Sequence, residues 1–197
     1  RNFGAAIARA FFPMVPAAGI ELLLLSVPGV EVEQGGLGAS AYGVVVGGCE
    51  DGYPIEPHVA GERTLCEVLA ALADAEAIVC AHDCSEGGLA VALAEMALAG
   101  QVGIEATVSA ERGVISALFG EIPGQVIVGV STDRAWSVVE KASEAGLVAG
   151  RLGTSTTSGV LRIQAGDSNT IELPLDSLWR AYEGAIPIAM GEEPTRR

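Results

Sequence analysis

The apolar positions of this chain fall into short runs of differing period, and the period of each run predicts its element. Phe3 to Phe12 reads as an apolar helical piece closed by Pro13 and Pro16, and Ile20 to Val27 as a short buried strand ended by Pro28 and Gly29. Gln34 to Gly48 is rich in glycine and predicts a loop whose backbone lies close to something else. Leu65, Leu69 and Leu72 make a helical stripe within Gly61 to Glu76, and Ile78 to Ala81 follows as a buried strand. His82 to Gly88 turns into a helix of small apolar residues, Leu89 to Leu98, which Gly100 stops. Gly103 to Val108 alternates as a strand does; Gln125 to Ser131 is a second strand, leading into a helix from Asp133 to Ala145 with Gly146 at its end. Gly159 to Gln164 and Thr170 to Leu173 predict a hairpin around residues 166–169, and Leu175 to Glu183, carrying Trp179 and Tyr182, is the last helix. The run Thr154 to Ser158 reads as a polar loop.

Helices and strands alternate, yet the second half carries hairpin signals. The expected class is therefore α+β: a mixed sheet with helices packed on one face. In particular, Ile104 to Val108, Gln125 to Val130, Leu161 to Gln164 and Ile171 to Leu173 should join Ile78 to Cys80 in one sheet. The helix from Leu89 should lie on it, because Ala90, Ala94 and Ala97 permit close approach. Pro54, Pro57 and Gly52 mark Cys49 to His58 as a linker between a glycine-rich segment and a strongly helical one, which divides the chain into residues 1–57 and residues 58–197.

Composition narrows the function. The chain has 197 residues, half of them apolar, and a chain of that mass can bury about 70% of its unfolded surface without staples. Lys and Arg number 11 against 25 Asp and Glu, a net charge of −14 that would repel nucleic acid and anionic membrane. A phosphorylated small molecule remains possible where amides, a basic residue or a divalent cation overcome that field locally. Cys49, Cys66, Cys80 and Cys84 show no C-x-x-C spacing and read as reduced thiols. The longest apolar run is far too short to span a bilayer, so the expected compartment is the cytoplasm. The chain opens at Arg1 without a Met, which suggests part of a longer polypeptide.

Most of the chemistry lies in residues 81–89, AHDCSEGGL, at a strand end and a helix start. Free helix amides can meet a phosphate at such a junction, and the paired glycines Gly87 and Gly88 would let it approach. Asp83 and Glu86 would repel a phosphate unless Mg²⁺ lay between, since that ion shares oxygen ligands with its substrate. Equally, Asp83 or Ser85 would cap the helix and the glycines would serve packing, with no ligand involved. Glu121, in the turn of residues 118–125 (LFGEIPGQ), could accept hydrogen bonds from a ligand hydroxyl or could merely fix the entry of a strand. His82 and Asp83, being neighbours in an extended segment, point to opposite faces, so that carboxylate is poorly placed to orient the imidazole.

Residues 82–97, HDCSEGGLAVALAEMA, closely resemble the H-D-x-S-[DE]-G-G-L-A-V-A-L-A-E-M-A block of phosphoribosylformylglycinamidine synthase, the ATP-dependent synthetase of purine biosynthesis. Residues 118–121, LFGE, followed by Pro123 and Gly124, resemble that family's next block. Residues 37–42, LGASAY, are similar to its L-G-G-S-E-Y, departing at Ala39 and Ala41, and residues 175–187 resemble the carboxyl end of its small bacterial form.

The resemblance implies the carboxyl-type domain of the aminoimidazole ribonucleotide synthetase-like fold, preceded by the tail of an amino-type domain. It implies ATP and Mg²⁺ as cofactors, a phosphorylated substrate, and a glutaminase subunit and a small bridging subunit as partners in an amidotransferase complex. It also implies that the family's catalytic histidine and its G-G-N-x-S loop lie upstream, so no catalytic residue is expected here and neither His58 nor His82 inherits that role. By analogy with the homologous half of the family, Asp83 is the candidate metal ligand and Glu121 a candidate ligand-binding residue; Ser85, Gly87 and Gly88 are further ligand-binding candidates from the strand-turn-helix junction itself. The alternatives are a non-catalytic scaffold or dimerisation domain, or a relative of the selenophosphate synthetases or hydrogenase-maturation proteins.

Overall fold

A computed structural model describes residues 14–30, 36–48, 51–111 and 113–193. These fold into one seven-stranded sheet: β1 (Glu21–Ser26), β2 (Cys80–Asp83), β3 (Gly103–Val108), β4 (Gln125–Val130), β5 (Val148–Thr156), β6 (Val160–Ala165) and β7 (Asn169–Pro174). The helices are α1 (Ala41–Val45), α2 (Val59–Asp74), α3 (Gly88–Gly100), α4 (Val114–Phe119), α5 (Ala135–Glu144), α6 (Leu175–Tyr182) and α7 (Ala185–Ala189). The strand order is β2-β4-β1-β5-β3-β6-β7, antiparallel throughout except for the parallel pair β3 and β6. The mixed sheet and the α+β layering are as the sequence predicts, and the five strands expected to share a sheet do so, although the one expected at Ile78–Cys80 runs over Cys80–Asp83, into the expected turn. The apolar piece Phe3 to Phe12 lies outside the described residues.

The centre of the sheet differs from expectation. β1, which sequence reading placed in the segment ahead of the domain, is the third strand, hydrogen-bonded between β4 and β5. The sheet therefore does not begin at residue 58. Residues 51–58 are a mostly exposed connection on its surface rather than a boundary. The physical reason lies in the run Leu22 to Leu25, which is apolar on both sides of the strand. Leu22 and Leu24 face one core while Leu23 and Leu25 face the other, and a strand wetted on neither face belongs in the middle.

The same alternation explains why helices occupy both faces instead of one. On the first, α3 buries Leu89, Leu93, Met96 and Ala97, joined by Leu118 of α4 and Leu175 of α6. On the second, Leu65, Leu69 and Leu72 of α2 and Val138 and Ala142 of α5 cover β1, β2 and β4. Leu22, Leu23 and Leu25 are each almost fully buried, and such a side chain contributes about 1.5–3 kcal/mol. Beyond β5 the second face is polar: Glu105 stands opposite Arg162, which pairs with Glu172 at 2.8 Å.

β5 is a second departure, since residues 154–156 of the expected polar loop are strand. Its glycines and hydroxyl residues conceal it. Gly153 is required there, because a Cβ would strike the backbone of Glu105 and Ala106 on β3. A register shift opposite Leu22 and Leu23 bulges the strand at Leu152, whose side chain enters the first core.

Candidate functional site

β2 ends at Asp83, and the chain then turns through residues 84–87 into α3. Cys84 N–H donates to the carbonyl of Gln125 at 3.0 Å, continuing the pairing with β4 one residue beyond the strand. Gly87 and Gly88 have φ of +77° and +67°, two successive left-handed residues that only glycine adopts readily. Gly88 N–H donates to the carbonyl of Ser85 at 3.0 Å, and no side chain caps α3. Asp83 and Ser85 are therefore not side-chain caps; both are exposed, the Asp83 side chain to 72%.

The paired glycines have other neighbours. A Cβ on Gly88 would lie 2.7 Å from the carbonyl oxygen of Gly120 and 2.9 Å from the carbonyl carbon of Phe119. The start of α3 is pressed against the segment that ends α4, and Gly88 serves that contact. Gly87 N–H donates to Glu121 Oε1 at 2.9 Å, and the same oxygen accepts from Ala41 N–H at 2.8 Å. Glu121 is thus turned inward onto two backbone amides, one from the turn and one from α1.

α1 lies inside the glycine-rich stretch. Ser40, fully buried, begins it: its Oγ accepts from Gly43 N–H at 3.1 Å and donates to the carbonyl of Leu37 at 2.8 Å. Tyr42 stacks on Phe119 with ring centroids 5.0 Å apart, and Glu121 N–H donates to the carbonyl of Gly36 at 2.9 Å. The three segments quoted for their family resemblance, 37–42, 82–97 and 118–121, meet at this point.

A second polar cluster adjoins the turn. His82 Nε2 is 2.9 Å from Glu95 Oε2, and Nδ1 is 2.7 Å from the carbonyl oxygen of Asp83. The Asp83 carboxylate is farther away, at 3.7 Å, so a different acid orients the ring. Glu95 also acts on Tyr182, at the end of α6, and its carboxylate pushes that phenol above the usual range. Sequence reading missed Glu95. The available signal was that it is the sole charged residue of α3, an otherwise apolar helix packed on the core.

Burial pushes the Cys84 thiol up to about 12, with the Asp83 charge adding to the effect, and pushes Cys80 up to about 11. These are unreactive core thiols, and Cys66 is exposed; all three are free. Among the described residues no group of three His, Cys, Asp or Glu is placed to hold a metal ion. One exposed carboxylate at Asp83 fits an ion that takes its remaining ligands from phosphate and water, not a resident metal site. A cleft of about 350 Å³ borders Leu89, where the β3–β5 ladder stops at Ala106 and Gly153, and Ser26, Thr107, Ser109, Glu111, Gln125 and Arg151 supply its polar lining.

A seven-stranded mixed sheet whose turns bring these segments together defines a domain class, and the match to a known family is direct. Residues 18–166 match the family "AIR synthase related protein, C-terminal domain", and the chain belongs to it. Its relatives include the phosphoribosylformylglycinamidine synthase subunit PurL of Deinococcus radiodurans, 37% identical over 186 residues, which are 89% of this chain and 24% of that protein. The PurL of Thermobifida fusca is 34% identical over 157 residues, 80% of this chain and 20% of that protein. The resemblance read from the motifs is thereby borne out. The chain spans about a fifth of the length of these curated relatives. Among solved structures, T. maritima PurL complexed with FGAR superimposes with a TM-score of 0.71 at 18% identity, over 85% of this chain and 29% of that one. E. coli HypE does so at 0.57 and 21%, over 84% and 52%, which shows the shared fold. Among the described residues, no helix is long and apolar enough to cross a membrane.

Proposed function

We propose that this chain is part of a phosphoribosylformylglycinamidine synthase, an ATP-dependent carbon-nitrogen ligase of purine biosynthesis. The observation that carries the reading is the meeting of the three family-like segments at Glu121, with Ala41 N–H and Gly87 N–H on one carboxylate oxygen. Named relatives at 34% and 37% identity support it. The reaction activates the amide oxygen of formylglycinamide ribotide with ATP, and ammonia released from glutamine displaces phosphate to leave the amidine. The glutaminase is a separate subunit, a small bridging subunit joins the complex, and the compartment is the cytoplasm. A T. maritima relative is described as a PurLQS assembly.

Within this chain, we assign no residue to the chemical step. Asp83 is the proposed Mg²⁺ ligand and Ser85 the proposed ligand contact, since both side chains are exposed at the edge of the turn. Gly87 and Gly88 shape that edge by their positive φ, and Glu121 holds it from behind. When bound, the ion would screen the acidic edge from a phosphoryl group.

Turnover is the test. The longer polypeptide that carries this segment, with its partner subunits, should form the amidine from formylglycinamide ribotide, ATP and glutamine, whereas the 197-residue chain alone should not. Turnover by the chain alone would overturn the absence of catalytic residues, and no turnover by the complete assembly would overturn the assignment.

A further inference from the structure

We propose that Glu121 is a positioning residue that makes the order of the glycine-rich loop and the order of the Ser85–Gly88 turn a single event. α1 buries none of its own residues, and Val45 is 82% exposed, so hydrophobic burial does not hold this piece in place. Besides the bond from Ala39 N–H to the Asp51 carbonyl at 3.3 Å, it is held by contacts to the segment that ends α4. Ala41 N–H donates to Glu121 Oε1, the carbonyl of Gly36 accepts from Glu121 N–H, and Tyr42 stacks on Phe119. Gly36 also lies so close to Gly120 and Glu121 that a Cβ there would stand 3.2 Å from both backbones.

The same carboxylate oxygen holds the turn through Gly87 N–H. The two amides are 80 and 34 residues from Glu121 in sequence, so neither bond follows from local structure. A hydrogen bond to an ionised acceptor is roughly twice as strong as a neutral one, and shared use of one oxygen means that neither amide keeps its partner if the carboxylate leaves. Loss or displacement of that one carboxylate therefore frees both segments at once. The clamp rests on the proposed function only in treating these segments as ligand-facing; its geometry stands without that reading.

Amide exchange in the 197-residue chain, without ligand, tests it separately from turnover. In Glu121→Ala, exchange at Ala41 and Gly87 should accelerate together, by roughly tenfold or more, while β1 and β4 keep their protection. Glu121→Gln keeps an acceptor oxygen in the same place but loses the charge, so it should fold and accelerate both amides by a smaller common factor. The proposal is overturned if one of the two amides accelerates and the other does not in either variant, or if both keep wild-type protection in Glu121→Ala. Should Glu121→Ala fail to fold, the common factor in Glu121→Gln decides.

Discussion

His82 and Glu95 are joined at 2.9 Å between the imidazole Nε2 and the carboxylate Oε2, which fastens the end of β2 to the middle of α3. The other ring nitrogen faces the Asp83 carbonyl oxygen, so the ring is held on both sides by acceptors. The same carboxylate acts on Tyr182 at the end of α6. Truncating either partner leaves a largely buried polar group unmatched, which costs about 1–3 kcal/mol. We expect His82→Ala and Glu95→Ala each to lose stability in that range. In a double-mutant cycle by urea denaturation the two should couple by about 1–2 kcal/mol. Strict additivity would show that the contact contributes nothing.

The two buried thiols predict an alkaline weakness. Their folded values, about 11 for Cys80 and about 12 for Cys84, lie above the ordinary 9.0, so the folded state keeps protons that the unfolded state releases. That stabilisation is complete below pH 9 and is lost as pH rises through 11 to 12. The slope should approach about 1.4 kcal/mol per pH unit for each thiol, negative in sign. Urea midpoints measured from pH 8 to 11 should fall beyond pH 9, and fall less in Cys80→Ala or Cys84→Ala. At pH 8 a thiol reagent should modify exposed Cys66 quickly and reach the buried pair only on unfolding.

Gly88 and Gly146 separate packing from backbone strain. Both have positive φ, +67° and +86°, but a Cβ at Gly146 meets nothing within 4 Å whereas at Gly88 it meets the Gly120 carbonyl oxygen at 2.7 Å. Gly146→Ala should cost about 1 kcal/mol for its φ alone. Gly88→Ala should cost more than about 2 kcal/mol, since the start of α3 must move off the Leu118–Gly120 backbone. Equal losses in thermal or chemical unfolding would mean that the close approach is not needed.

What the sequence made legible was whatever one element's period could carry. The Leu65, Leu69 and Leu72 stripe, the alternation of Gly103 to Val108 and the hairpin around residues 166–169 all appear as read. β5 was not legible, because Gly150, Gly153 and its Ser and Thr residues have low strand signal taken alone and are chosen by the approach of β1 and β3 on either side. The central place of β1 was written in Leu22 to Leu25, but four leucines name a buried strand without naming its neighbours. At the site, the motif at His82 to Gly88 was visible while the orientation of Glu121 was not. Its two partners are amides from distant segments, and nothing in a local pattern says which way a carboxylate turns.

Asp83 carries the final prediction. Its side chain is 72% exposed and lies 3.7 Å from His82 Nδ1, and α3 follows Gly87 with no side-chain cap. Folding therefore makes little use of the carboxylate, and Asp83→Asn should leave stability within about 0.5 kcal/mol of the parent. A metal bridging this edge to a phosphoryl group would use it strongly, because an amide cannot replace a carboxylate on Mg²⁺ without loss of charge. In the longer polypeptide proposed above to carry this segment, Asp83→Asn should weaken Mg²⁺-dependent ADP or ATP binding by more than about tenfold, or 1.4 kcal/mol, by titration calorimetry. Ser85→Ala should weaken it less, since it removes a neutral contact and leaves the charge. Unchanged affinity in Asp83→Asn, with stability also unchanged, would remove Asp83 from any metal site and leave this turn a structural joint held by Glu121.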